Sequence, residues 1–136
     1  MQPALQVNIS VSNQPSSLAR VCDTLRAHSI NISAITCTEM KERTTIHLIV
    51  DDPESAKIVL RDLGTVSSTF VLGFKVKNQT GAIASLGRAC AVAGVNIHNI
   101  FATTCGKEAM VYISVDEIEK AAESLKAWEH NQTKHH

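Results

Sequence analysis

Two short segments carry the residue types from which a ligand site can be built: Asn13-Gln14-Pro15-Ser16-Ser17-Leu18 and Asn78-Gln79-Thr80-Gly81-Ala82-Ile83. Each lies between an alternating apolar run and a helical apolar stripe, so each opens a helix. The first N–H groups of a helix have no partner within it, and where a small residue lets a ligand approach they bind a carboxylate or phosphate. An asparagine just ahead of them adds a carbonyl that accepts a proton from an ammonium group. Together these capacities match the two charged ends of a free amino acid, whose side chain would lie in an apolar slot between modules. Such binding needs no catalyst.

The remaining polar candidates have plainer readings. Asn31 and Asn96, the latter followed by Ile97, stand where the chain leaves a helix and enters a strand, a position where asparagine ordinarily shapes a turn. Asn13 and Asn78 are open to the same reading. His47 and His98 fall on the polar side of their strands as solvent or interface residues, and no motif sets a carboxylate or serine beside them, so no catalytic residue is assigned. Cys22 and Cys90 lie on buried helix stripes, while Cys105, in a turn beside Gly106, is the thiol with scope for reactivity. The four cysteines form no CxxC pair, and the acids Asp51-Asp52 suit the positive end of a helix better than a metal. No metal site and no cofactor are therefore expected, and a reducing compartment is the simplest setting.

The elements that position these residues come from a repeat. An offset of 65 residues aligns SNQPSSLARVCDTLRAHSINISAITCTE with KNQTGAIASLGRACAVAGVNIHNIFATT, and IVDDPESAKIVL with SVDEIEKAAESL, without a gap. In each copy a period-two strand comes first: Leu5, Val7, Ile9 and Val11, then Phe70, Leu72, Phe74 and Val76. A helical period follows, on Leu18, Val21, Cys22 and Leu25 in copy one and on Ile83, Leu86 and Cys90 in copy two. Second strands are predicted over Ile30 to Glu39 and Val95 to Thr104. Third strands follow at Thr44 to Val50 and Ala109 to Val115, and each pair is joined as a hairpin. Second helices then carry Ala56, Val59, Leu60 and Leu63, and Ala121, Leu125 and Trp128. A final strand is weak at Thr65 to Thr69 and absent after Trp128.

This order predicts an α+β chain of two ferredoxin-like βαββαβ modules in tandem, each an antiparallel sheet with its helices on one face. The boundaries read as 1–66, 67–130 and a polar segment 131–136, either a disordered tail or the remnant of a tag. One face of each sheet lacks a cover of its own, and exposed strand edges invite association, so a homodimer is expected.

Composition limits the partners. The 136 residues carry 13 Lys+Arg against 13 Asp+Glu, with 44% hydrophobic and 19% charged residues, enough for a packed core. Zero formal net charge removes the main electrostatic drive toward nucleic acid or an anionic membrane. No run reaches the roughly 18 apolar residues of a membrane span, and the first ten residues lack the pattern of a secretory leader, so the expected location is the cytoplasm.

The paired patterns NQPSSLA with INI at Ile30 to Ile32, and NQTGAIA with VNI at Val95 to Ile97, resemble the ACT domain family of amino-acid-sensing modules, over nearly the whole chain. The resemblance implies a non-catalytic regulator whose amino-acid effector sits at module interfaces, near the first turn and the start of the second strand. Gly81 keeps the family's glycine position, where copy one has Ser16, which makes Asn78 to Ile83 the better site. The function expected is ligand-dependent assembly; the alternative is a subunit docking on an amino-acid biosynthetic enzyme or a transcription factor. An acylphosphatase-like enzyme would need an arginine in the first loop, and NQPSS and NQTGA hold none. An RNA-binding sheet would need basic charge beside Tyr112 and Phe101.

Overall fold

The computed structural model describes residues 2–134. Its elements run β1 (Gln2–Ser12), α1 (Ser17–Ala27), β2 (Ile32–Met40), β3 (Arg43–Val50), α2 (Pro53–Val59), β4 (Thr65–Lys77), α3 (Ala82–Ala93), β5 (Ile97–Cys105), β6 (Glu108–Val115) and α4 (Ile118–Lys134). They divide into two compact units. One is Leu5–Thr69; the other joins the residues up to Ala4 to those from Phe70 onward.

In the Leu5–Thr69 unit the strand order is β2-β3-β1-β4, the last contributed by Thr65–Thr69. β3 lies antiparallel between β1 and β2, with Val7 opposite Leu48 and Ile9 opposite Ile46. These alternating residues face α1 and α2, and with Val21, Leu25, Ala56 and Leu60 they form the core. Asp52 starts α2 by accepting the Ser55 N–H at 3.1 Å, with Pro53 in the first helical turn. That bond holds the Asp52 carboxyl below its ordinary pKa.

The second unit repeats the plan as β1-β4-β6-β5, with Leu72, Phe74, Leu86, Val111, Ile113 and Leu125 in its core. The final strand that copy two lacks in sequence is supplied by the first residues of β1, which lie beside β4. A period-two reading of Leu5 to Val11 stops short of those residues. On the sheet face away from its helices, Phe101 and Tyr112 stack with ring centroids 5.2 Å apart. A side chain at Gly73 would place its Cβ 2.7 Å from the Tyr112 ring, so the ring lies where only glycine leaves it undisturbed.

Several boundaries differ from the sequence reading, among them the division of the units, which falls after Thr69 where 66 was expected. The second strands begin two residues later than predicted, at Ile32 and Ile97, because Asn31 and Asn96 are engaged by acids as set out below. α4 continues to Lys134, so residues 131–134 are helical where a disordered tail was expected; His135 and His136 lie outside the described residues.

Candidate functional site

The two first turns share a backbone frame and differ in their side chains. In the second unit the Asn78 N–H donates to Lys107 O at 2.9 Å, and its Nδ2 donates to Gly106 O at 2.9 Å. The turn is thereby laced to the β5–β6 hairpin. Gln79 N–H donates back to Lys77 O, and Ala82 N–H to Gln79 O at 3.2 Å. Gly81 is the N-cap of α3 with φ of +86°, a left-handed conformation that glycine adopts without strain, and no side chain caps the helix. Apart from its chain neighbours, no described atom lies within 4 Å of where a Cβ would stand, so the helix start is open. Thr80 and Ile83 are exposed beside it, and Ala82 is buried beneath.

In the Leu5–Thr69 unit Asn13 is used at both ends of its amide. Its Nδ2 donates to Glu39 Oε1 at 2.5 Å and to Lys41 O at 3.1 Å, and its Oδ1 accepts from the Thr44 hydroxyl at 3.2 Å. The residue 65 positions after Thr44 is Ala109, which has no hydroxyl, and Asn78 Oδ1 makes no hydrogen bond among the described residues. Ser16, in Gly81's place, is right-handed with φ of −85° and makes no side-chain cap bond. The Ser17 hydroxyl donates to Ser12 O at 2.6 Å, and Gln14 O accepts from Ser17 N–H. Leu18 is exposed. The Gln14–Ser17 bond repeats that of Gln79 and Ala82, so what sets this turn apart is the Ser17 hydroxyl bond and the fully engaged amide of Asn13.

Asn31 and Asn96 occupy a repeated backbone clamp. Each N–H donates to an aspartate carboxylate, Asp51 at 3.0 Å and Asp116 at 3.1 Å, and each C=O accepts that aspartate's N–H. Asp51, read in sequence only as helix-start charge, thus closes the other end of the sheet. Ile97, half-buried, packs on the core.

The structure therefore separates the two halves of the predicted site within a module. The first turn is bonded to the hairpin where β2 or β5 ends, whereas the clamp sits where that strand begins. A nine-residue strand places these ends about 25 Å apart. No single amino acid reaches both in one module. Beside Asn31 a groove of about 370 Å³ is lined by Cys22, Arg26, Ser29, Ile30 and Ile32. Arg26, near the end of α1, was not singled out in sequence, although a cation in the last turn of a helix is the signal that would have marked it.

The two helix thiols add little reactivity. Burial raises the pKa of Cys90, and burial, then Asp23 and Cys37, raise that of Cys22. Cys105 is exposed. No group of three or more His, Cys, Asp or Glu residues suited to a metal occurs among the described residues. No described helix is long and apolar enough to cross a membrane.

Two ferredoxin-like units, each with an Asn-led turn opening its first helix, define a tandem sensory module of the kind the sequence resembles. The chain belongs to the ACT domain pair family, whose model matches residues 3–132. No curated protein matches it. Among solved structures it is similar to a Bacteroides thetaiotaomicron protein, with 29% identity and a TM-score of 0.88 over 93% of this chain and 88% of that one. The regulatory subunit of aspartate kinase from Thermus thermophilus shares the fold, with 20% identity and a TM-score of 0.72 over 98% and 99% of the two chains. The Thermus flavus counterpart does so with 18% identity and a TM-score of 0.64 over 98% of each.

Proposed function

We propose that this chain is a non-catalytic regulator that binds a free amino acid at the turn Asn78 to Ile83. The carrying observation is the uncommitted carbonyl of Asn78 beside an open, glycine-capped helix start. The carboxylate lies against the N–H groups of Ile83 and Ala84 in the first turn of α3, that of Ala82 being taken by Gln79 O, and the ammonium group donates to Asn78 Oδ1. Asn13, Ser16, Ser17 and Leu18 form a structural turn that holds no ligand.

Binding controls assembly of a homodimer. Exposed apolar residues recur at the repeat spacing, Leu18 with Ile83 and Ile35 with Ile100, so each unit presents the same apolar positions beside an edge strand, β2 or β5. Because turn and strand start lie at opposite ends of a module, a ligand that also touches Asn96 and Ile97 takes them from a second chain.

A second reading, a subunit docking on a biosynthetic enzyme, is favoured by one likeness: a chain covered over 99% of its length is described as a regulatory subunit of aspartate kinase. A thermal-shift screen against the twenty amino acids tests the first reading, since a ligand of the native state raises Tm by mass action. A rise for one chemical group of amino acids supports sensing. No rise for any of them, with an enzyme co-purifying, favours the docking subunit.

A further inference from the structure

The sheet face turned away from the helices is polar and buried in the Leu5–Thr69 unit. Gln6 and Asn8 are only 4% and 7% exposed. Gln6 Nε2 donates to Asn8 Oδ1 at 2.8 Å and lies 3.3 Å from His47 Nδ1, which meets the same Asn8 oxygen at 2.8 Å, so in this arrangement Nδ1 carries a proton. Asn8 Nδ2 donates to the hydroxyls of Thr69, at 3.0 Å, and Ser67, at 3.4 Å. His47 Nε2 lies 3.5 Å from the Thr38 hydroxyl. Gln6 Oε1 is fully buried with no partner among the described residues.

The repeat supplies an internal control. The positions 65 residues beyond Gln6, Asn8 and His47 hold Val71, Gly73 and Tyr112, so the second unit has no such network. The first unit keeps one although a buried polar group without a partner destabilises the fold.

The bonds can run the other way. If both carboxamides turn over, Asn8 Nδ2 donates to Gln6 Oε1 and to His47 Nδ1, the imidazole proton moves to Nε2 beside Thr38, and Asn8 Oδ1 accepts from the Ser67 and Thr69 hydroxyls. The orphan is then Gln6 Nε2 in place of Oε1, and Gln6 Oε1 stands 3.3 Å from the unprotonated Nδ1, so neither direction satisfies every group. An imidazolium breaks the balance. With protons on both nitrogens it requires an acceptor at Nδ1 and is compatible only with the first direction.

We propose that Gln6, Asn8 and His47 form a reversible hydrogen-bond relay in which the proton on His47 fixes its direction. The exposed Ser67 and Thr69 hydroxyls accept from Asn8 when His47 is charged and donate to it in the reversed state, so the hydrogen-bonding character of this face changes with pH. Among the described residues no acid, lysine or cysteine faces the ring from the packed strands: β1 presents Gln6, Asn8 and Ser10, β2 presents Thr36 and Thr38, and β4 presents Ser67 and Thr69. On β3 itself the charged neighbour on this face is Arg43, engaged with Ser10. Burial lowers the pKa of His47, in keeping with a ring held neutral under ordinary conditions.

The test is a pH titration of the intact ¹⁵N-labelled protein, following the His47 ring nitrogens and the side-chain NH₂ groups of Gln6 and Asn8. The relay predicts that both NH₂ groups shift with the midpoint of His47. It also predicts that neutral His47 populates both tautomers and that His47→Gln abolishes the amide titration. A single fixed Nδ1–H tautomer at neutral pH overturns the relay, a readout that needs no variant to fold. Amide shifts that persist in His47→Gln overturn it as well.

Discussion

The hydroxyl of Thr44 donates to Asn13 Oδ1 at 3.2 Å, and this one bond distinguishes the two turns. Where Thr44 is replaced by Ala109, the corresponding asparagine carbonyl is left available. Asn78→Ala therefore lowers amino-acid affinity about tenfold or more, the loss of a hydrogen bond to a charged group being about 1.5–3 kcal/mol. Asn13→Ala changes affinity little. Ala109→Thr supplies the missing hydroxyl and reproduces much of the Asn78→Ala loss. Calorimetric titration with the amino acid that raises Tm most distinguishes these outcomes, and equal affinity across the variants would refute the assignment.

Gly81 acts through its backbone. At φ of +86° a non-glycine residue is strained by about 1–2 kcal/mol, even though a Cβ would strike nothing. Gly81→Val accordingly lowers Tm and also blocks the helix start, whereas Gly81→Asn, which tolerates the left-handed region better, recovers part of the stability. Denaturant unfolding of the two variants checks the order.

Stability should fall with acid through His47. Its folded pKa is depressed from 6.5, so the folded chain favours the neutral ring and the unfolded chain takes up the proton first. The contribution is complete above about 6.5 and declines as pH falls toward the folded value. Urea unfolding measured from pH 7.5 to pH 5.5 should show this slope, and His47→Gln should lessen it; an unchanged slope in the variant assigns it to other groups.

Gly73→Ala forces the Tyr112 ring aside, since the new Cβ would stand 2.7 Å from it. The stack on Phe101 is disturbed at about 1–3 kcal/mol, the usual cost of overpacking. Tyr112 is the chain's single tyrosine, so near-UV circular dichroism reports the change directly. An unaltered tyrosine signal would contradict it.

Most of the fold was legible because burial on one sheet face imposes a period of two, and a 65-residue repeat shows the same pattern twice. Legibility ended where partners are distant in sequence. Nothing local marks residues 2–4 as the strand beside β4, and nothing around Asp51 reveals that its carboxylate holds the Asn31 N–H. The candidate turns were recognisable from helix-start chemistry. Their inequality was visible only in part, in Ser16 against Gly81; the other part, Thr44 against Ala109, depends on which hairpin residue meets each asparagine. The opposite placement of turn and strand start follows from sheet register and not from the motifs.

The most direct test of the central claim is to add each of the twenty free amino acids to the ¹⁵N-labelled protein and follow the backbone amides of Gly81, Ala82 and Ile83 beside those of Ser16, Ser17 and Leu18. At least one amino acid should shift the first set in a saturable way while the second set responds weakly. If no amino acid moves Gly81 to Ile83, or if Ser16 to Leu18 respond instead, the turn after Asn78 is not the ligand site.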